Sequence, residues 1–179
     1  MASMLRSTGF TLLELLITLA LGVVVLGLAV PAFQTIVQDS RLTAAVNRFV
    51  HGMHLARYEA AKYGRDVVLC RSLSGRQCTN AGPWASGFIV FVNRDRDDPP
   101  RVDAGEPILQ VELQLPPASI QSNRRAYVFR PYGTRSVNGT LTFCDRRGMS
   151  RARAVVVSYT GRPRASSAAE AAGAITCPG

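Results

Sequence analysis

Two arginines spaced two residues apart, Arg162 and Arg164 in the run Gly161-Arg-Pro-Arg, carry the most specific chemistry in the chain. Pro163 disfavours helix at Arg162 and favours an extended backbone there. Along an extended chain, side chains two residues apart point the same way, about 6.6 Å from one another. Two guanidinium groups held like that can take neighbouring phosphates in bidentate fashion. Gly161 frees the turn that delivers them. The competing reading is a solvated loop with no ligand. Arg151 and Arg153 also alternate and are expected to share a face, while Arg146 and Arg147 lie in the turn Asp145–Gly148 ahead of the last apolar strand. Gly161 follows that strand, and a strand of about eight residues separates its ends by roughly 25 Å. Arg162 and Arg164 are therefore the primary pair; Arg146, Arg147, Arg151 and Arg153 extend it only if the tail folds back.

Charge distribution agrees with a polyanionic ligand. Residues 121–165 hold ten arginines against one acid, Asp145, a surplus equal to the formal net charge of the whole chain, +9. Such asymmetry suits nucleic acid, acidic polysaccharide or lipid head groups, against the plain alternative of a solvated basic face. Lys62 is the sole lysine among 21 basic residues. That skew reads as a coding bias, so arginine identity by itself argues for nothing.

A second chemical group is Glu14, one carboxylate near the start of an apolar run from Phe10 to Val30. The run is long enough to span a bilayer as a helix rising about 1.5 Å per residue. An ionised carboxylate costs about 2.5–3.5 kcal/mol at the centre of such a helix and less near an end, so it needs a partner. No A-x-A-like cleavage site follows Ala29, and the more economical cut falls before the run, between Gly9 and Phe10. The helix then stays on the mature protein. A domain exported behind this anchor meets an oxidising compartment, where Cys70, Cys78, Cys144 and Cys177 form two disulfides. Three pairings are open. Cys70–Cys78, closing a short loop, and Cys144–Cys177, tying the tail to the core, are favoured. Zinc is disfavoured because C-x-x-C spacing is missing.

Other constellations carry less. Asn93, Asp95 and Asp97 stand two apart like a calcium loop, but Asp98 occupies the glycine position and Ala104 the glutamate position. A solvated loop fits better. His51 and His54 sit three apart on a helix without a third ligand. No nucleophile has a base motif beside it and no glycine loop cradles phosphate, so neither catalysis nor a cofactor is implied.

The elements follow from periodicity. Leu42, Val46, Phe49, Met53, Ala56 and Ala60 form one apolar stripe, which carries the helix past Pro31 to a stop at Tyr63-Gly64. Pro31 is expected to kink or loosen it. Strands are expected at Val67–Cys70, Gly87–Val92, Ile108–Leu115, Ala126–Arg130 and Ala154–Tyr159. Asn138-Gly139 signals a hairpin between Arg135–Val137 and Thr140–Cys144. The tail from Ala165 is rich in small residues and is expected to lack regular structure. The class is α+β: a long N-terminal helix followed by a β-rich domain of two packed sheets. The divisions are a leader (1–9), the helix (10–63, with 10–30 transmembrane) and the globular domain (64–179).

The basic leader MASMLRSTG, whose last glycine opens G-F-T-L-L-E, and an apolar helix interrupted at Pro31 resemble the signal of type IV pilins and pseudopilins. G-F-I-V-F-V-N-R-D-R-D, D-A-G-E-P-I-L and N-G-T-L-T-F-C-D-R-R-G…A-R-A-V-V-V-S-Y-T-G-R-P-R resemble the FimT/GspH group of that family. The resemblance implies cleavage after Gly9 by a prepilin peptidase and methylation of Phe10. It implies pairing of Glu14 with the N-terminal ammonium of a neighbouring pilin during assembly. It also implies a single-pass inner-membrane protein with a periplasmic domain, later taken into a filament with other major and minor pilins. Gly161-Arg-Pro-Arg matches the G-R-x-R run through which FimT-type pilins bind double-stranded DNA for uptake in natural transformation. The alternative is a GspH-like pseudopilin with a structural role in type II secretion. Attachment to an acidic glycan or lipid surface explains the charge equally well.

Overall fold

A computed structural model describes residues 11–115, 119–132, 135–171, 173 and 175–177. One helix, α1 (Leu12–Tyr63), is followed by eight strands. The chain divides into two compact units at Asp39/Ser40.

In the first unit α1 is apolar and exposed, from Leu12 to Ile36, and it is long and apolar enough to cross a membrane. Its start is capped locally. Thr11 N–H and Oγ1–H both donate to Glu14 Oε2, and Glu14 N–H donates back to Thr11 Oγ1. This reciprocal arrangement is a capping box, which satisfies helix donors that otherwise lack partners. Pro31 lies inside the helix, where it withholds one N–H from the ladder. Thr35 Oγ1 donates to the Pro31 carbonyl.

The second unit builds its core on the rest of α1. Leu42, Val46, Phe49, Met53, Ala56 and Ala60 are buried, together with Ala45, Gly52 and Glu59. Gly64 (φ +61°) follows Tyr63 and ends the helix in the left-handed region. Gly52 permits the close approach to the sheet, since a Cβ there would lie 2.8 Å from Phe88 Cε2. The strands are β1 (Asp66–Arg71), β2 (Gly87–Asn93), β3 (Ile108–Leu113), β4 (Ser119–Ser122), β5 (Ala126–Phe129), β6 (Gly139–Cys144), β7 (Arg153–Val157) and β8 (Pro163–Ser167). They make two antiparallel sheets, ordered β3-β2-β1-β5 and β4-β6-β7-β8. Phe49 joins them: its ring centroid lies 4.5 Å from Phe88 of the first sheet and 5.4 Å from Phe143 of the second. Every residue of β2 is buried. Phe88, Val90 and Val92 belong to the main core, and Ile89 and Phe91 to a second cluster with Val68 and Cys70. Burial on both faces is why the strand reads as an unbroken apolar run.

Two expectations are corrected. The Asn138-Gly139 hairpin does not form. Val137 N–H donates to Val128 O at β5, and Gly139 opens β6, so the segment passes from one sheet to the other. Arg124 fixes it by donating from Nε to the Asn138 carbonyl at 2.7 Å. The partner of β6 in a hairpin is β7. The tail is also more ordered than its composition suggests, because β8 continues to Ser167 as an edge strand. The polar strand β4 carried no apolar alternation and went unread.

Candidate functional site

The hairpin between β7 and β8 presents the Gly161-Arg-Pro-Arg run. Gly161 N–H donates to Ser158 O at 2.8 Å and Ser158 N–H to Arg162 O at 3.1 Å, which closes the turn. Gly161 takes φ +73°, and a Cβ on it would meet Phe129 Cδ1 and Ser136 Oγ, each at 3.1 Å. Only glycine suits both the backbone and the space. Pro163 is buried opposite Val157, while Arg162 and Arg164 on either side of it are exposed. Among the described residues neither arginine meets a carboxylate.

The other arginines are deployed differently. Arg164 pairs with Val156 and Arg153 with Ser167. Residues paired across an antiparallel ladder share a face, and faces alternate along each strand. Arg153 therefore shares the face of Val155 and Val157, which belong to the core. Arg164 lies on the opposite face, three residue steps along the ladder, or about 10 Å. Arg151 ends a 3-10 turn, Met149–Arg151, so it does not continue the alternation that sequence spacing suggested for it and Arg153. Both remain exposed, as does Arg146. Arg147 lies against Asp145, its Nε donating to Oδ2 at 3.0 Å, with both side chains largely buried. That hydrogen bond holds the Asp145 carboxyl below the usual carboxylate range. Arg130 lies 3.5 Å from Asp66 and donates to the Arg135 carbonyl. The basic segment is thus not one patch. Arg162 and Arg164 sit at one end of β7, and Arg146 and Arg151 precede its other end.

Two disulfides bracket this architecture. Cys70 pairs with Cys78, and Cys144 with Cys177. The second lays the tail along the outer face of β6 and β7, where Ala154 and Ala168 pack with Cys144 and Ile175 N–H donates to Thr142 Oγ1.

Elsewhere, oxygens of Asp95, Asp97 and Asp103 come within 4.8 Å of one another. Asp103 fell outside the linear template. Asn93 closes the loop by donating from Nδ2 to Asp97 Oδ1 and accepting from Arg96 N–H. Burial, then the neighbouring Asp95, pushes the Asp97 carboxyl up. His51 and His54 are exposed on α1. Gly9 and Phe10 lie outside the described residues.

Sequence spacing did not single out a cleft at the turn end of the hairpin. Arg57, Arg130 and Arg135 line it with Tyr132, Tyr159 and Thr160, around about 710 Å³. The Arg135 guanidinium stands 5.5 Å from the Tyr159 ring centroid. The signal in sequence was faint, an arginine next to or near a tyrosine in R-P-Y and Y-T-G-R.

The comparisons with known proteins agree with this architecture. A family model described as type II transport protein GspH matches residues 45–161, and one described as a prokaryotic N-terminal methylation motif matches residues 4–30. No curated protein matches the chain in sequence. Two crystal structures of the Pseudomonas aeruginosa (strain PAO1) type IV minor pilin FimU share the fold, both at 15% identity. The first has a TM-score of 0.51, with 69% of this chain and 91% of FimU covered. The second has a TM-score of 0.53, with 73% and 92% covered. Helix, paired sheets and methylation motif together make this chain a member of the GspH family of type IV pilin-like proteins.

Proposed function

We propose that the protein is a minor pilin whose domain, once in a filament, binds double-stranded DNA through its phosphates for uptake. The observation that carries this reading is the exposure of Arg162 and Arg164 on either side of buried Pro163, neither of them in an ion pair with a carboxylate among the described residues. The turn and the β7 ladder hold the backbone of both residues, which lowers the ordering cost of gripping two phosphates. In the same reading a peptidase removes residues 1–9, Phe10 becomes the methylated N-terminus, and Glu14 exchanges its capping contact for the ammonium of a neighbouring pilin. Residues 10–30 sit in the inner membrane before assembly and the domain faces the periplasm. Arg146, Arg151 and Arg153 reach only a ligand that wraps the sheet edge.

The test is duplex binding by the full-length protein in detergent, wild type against Arg162→Gln/Arg164→Gln. Charge-assisted contacts at exposed positions lead us to expect about a tenfold loss, equal for duplexes of unrelated sequence. Unchanged affinity would remove the arginine pair from the interface.

The family description favours a second reading, a pseudopilin with a structural role in type II secretion. There the wild-type protein shifts no DNA and the double variant supports secretion normally.

A further inference from the structure

We propose that the cleft beside the Gly161 turn holds an unpaired nucleobase, so that the protein prefers DNA with a single-stranded tail to a blunt duplex. The inference rests on the DNA-binding reading above and deepens it. The turn closed by Ser158 and Arg162 carries both functions: Tyr159 and Thr160 line the cleft, and Arg162 leaves it toward solvent. Tyr132 is 97% exposed and Tyr159 54% exposed, so both rings can be reached by a ligand. Arg135 lies over the Tyr159 ring, its guanidinium 5.5 Å from the centroid, which sets a cation beside an aromatic side chain. Arg57 from α1 adds positive charge around it, and Arg130, just past β5, lines it while paired with Asp66. Aromatic platforms flanked by cations suit single-stranded nucleic acid, because every base has a π-face and every nucleotide a phosphate. An acidic glycan satisfies the arginines, but its saturated rings offer no aromatic face to stack. A base inside an intact duplex is stacked on its neighbours and cannot enter without leaving the helix. Strand held by Arg162 and Arg164 therefore meets the cleft only where it is unpaired, at a frayed or resected end.

The experiment compares a short blunt duplex with the same duplex carrying a single-stranded tail that contains 2-aminopurine, using the full-length protein in detergent. The tail is expected to tighten binding by about tenfold, as one stacked base does, and its fluorescence to be quenched. Tyr132→Leu/Tyr159→Leu should abolish that gain and leave blunt-duplex binding intact. Tyr132→Trp should keep the gain, and since the Tyr132 ring packs against nothing, neither change at that position threatens the fold. Arg162→Gln/Arg164→Gln should weaken both ligands alike. Equal wild-type affinity for the two ligands overturns the cleft assignment while leaving the arginine pair standing. So does a tail gain that survives loss of both tyrosines, or a tyrosine-dependent site that takes sulfated polysaccharide and not the tail. Failure to bind either duplex overturns the DNA-binding reading and the cleft with it.

Discussion

Gly161 shows how much a single position can constrain. It holds φ +73° against Phe129 and Ser136, and it starts the run that displays both arginines. Gly161→Ala is expected to destabilise the domain by about 1–3 kcal/mol, from the left-handed backbone and the contacts its Cβ would meet. Urea unfolding checks this, and an unchanged midpoint would mean that the turn relaxes at no cost. The alternation of Arg162, Pro163 and Arg164 was legible in sequence because proline fixes its own φ and restricts the residue before it. The diversion of Arg147 to Asp145 and of Arg130 to Asp66 was not, since a run of arginines does not say which of them the fold turns onto a carboxylate. Glu14 illustrates a different point. Sequence argued that its charge needs a partner in a neighbouring subunit, and within the chain it makes a capping box with Thr11.

Among the elements, those with strong periodicity were the readable ones. The stripe from Leu42 to Ala60 placed α1, and apolar runs placed β1, β2 and β7. Asn138-Gly139 misled because a turn dipeptide favours a hairpin only when the flanking strands pair with each other. Here Val137 is drawn to β5 and β6 to β7. β4 and β8 are short and polar, with positions set by the ladder rather than by their own composition. The disulfides belong to this scale as well. Cys144–Cys177 closes a separation of 33 residues and Cys70–Cys78 one of 8. On chain entropy their removal costs about 3.7 and about 2.5 kcal/mol respectively. Cys144→Ser/Cys177→Ser should therefore lower the urea midpoint further than Cys70→Ser/Cys78→Ser. The reverse order would mean that the tail contributes little beyond its tether.

On the scale of the whole molecule, the net charge of +9 is the property most easily read and most easily over-read. Nine surplus charges in one sequence segment suggested a polyanionic ligand, and one surface only if the tail folds back. The two sheets distribute them instead, with Arg153 and Arg164 on opposite faces of β7 and β8 and two arginines neutralised within the domain. What remains for a polyanion is a pair at one hairpin and scattered charges elsewhere, and a small footprint of that kind binds weakly and with strong salt dependence. The GspH family match ends at Gly161, so Arg162 and Arg164 lie just beyond it, and the case for them rests on local geometry. Salt dependence measures that geometry directly, since each phosphate engaged steepens the fall of log affinity with log salt by about 0.9. The slope for the full-length protein on blunt duplex should be steeper than that of Arg162→Gln/Arg164→Gln by about 1.8, one phosphate for each guanidinium. Parallel salt plots for the two proteins would contradict the account.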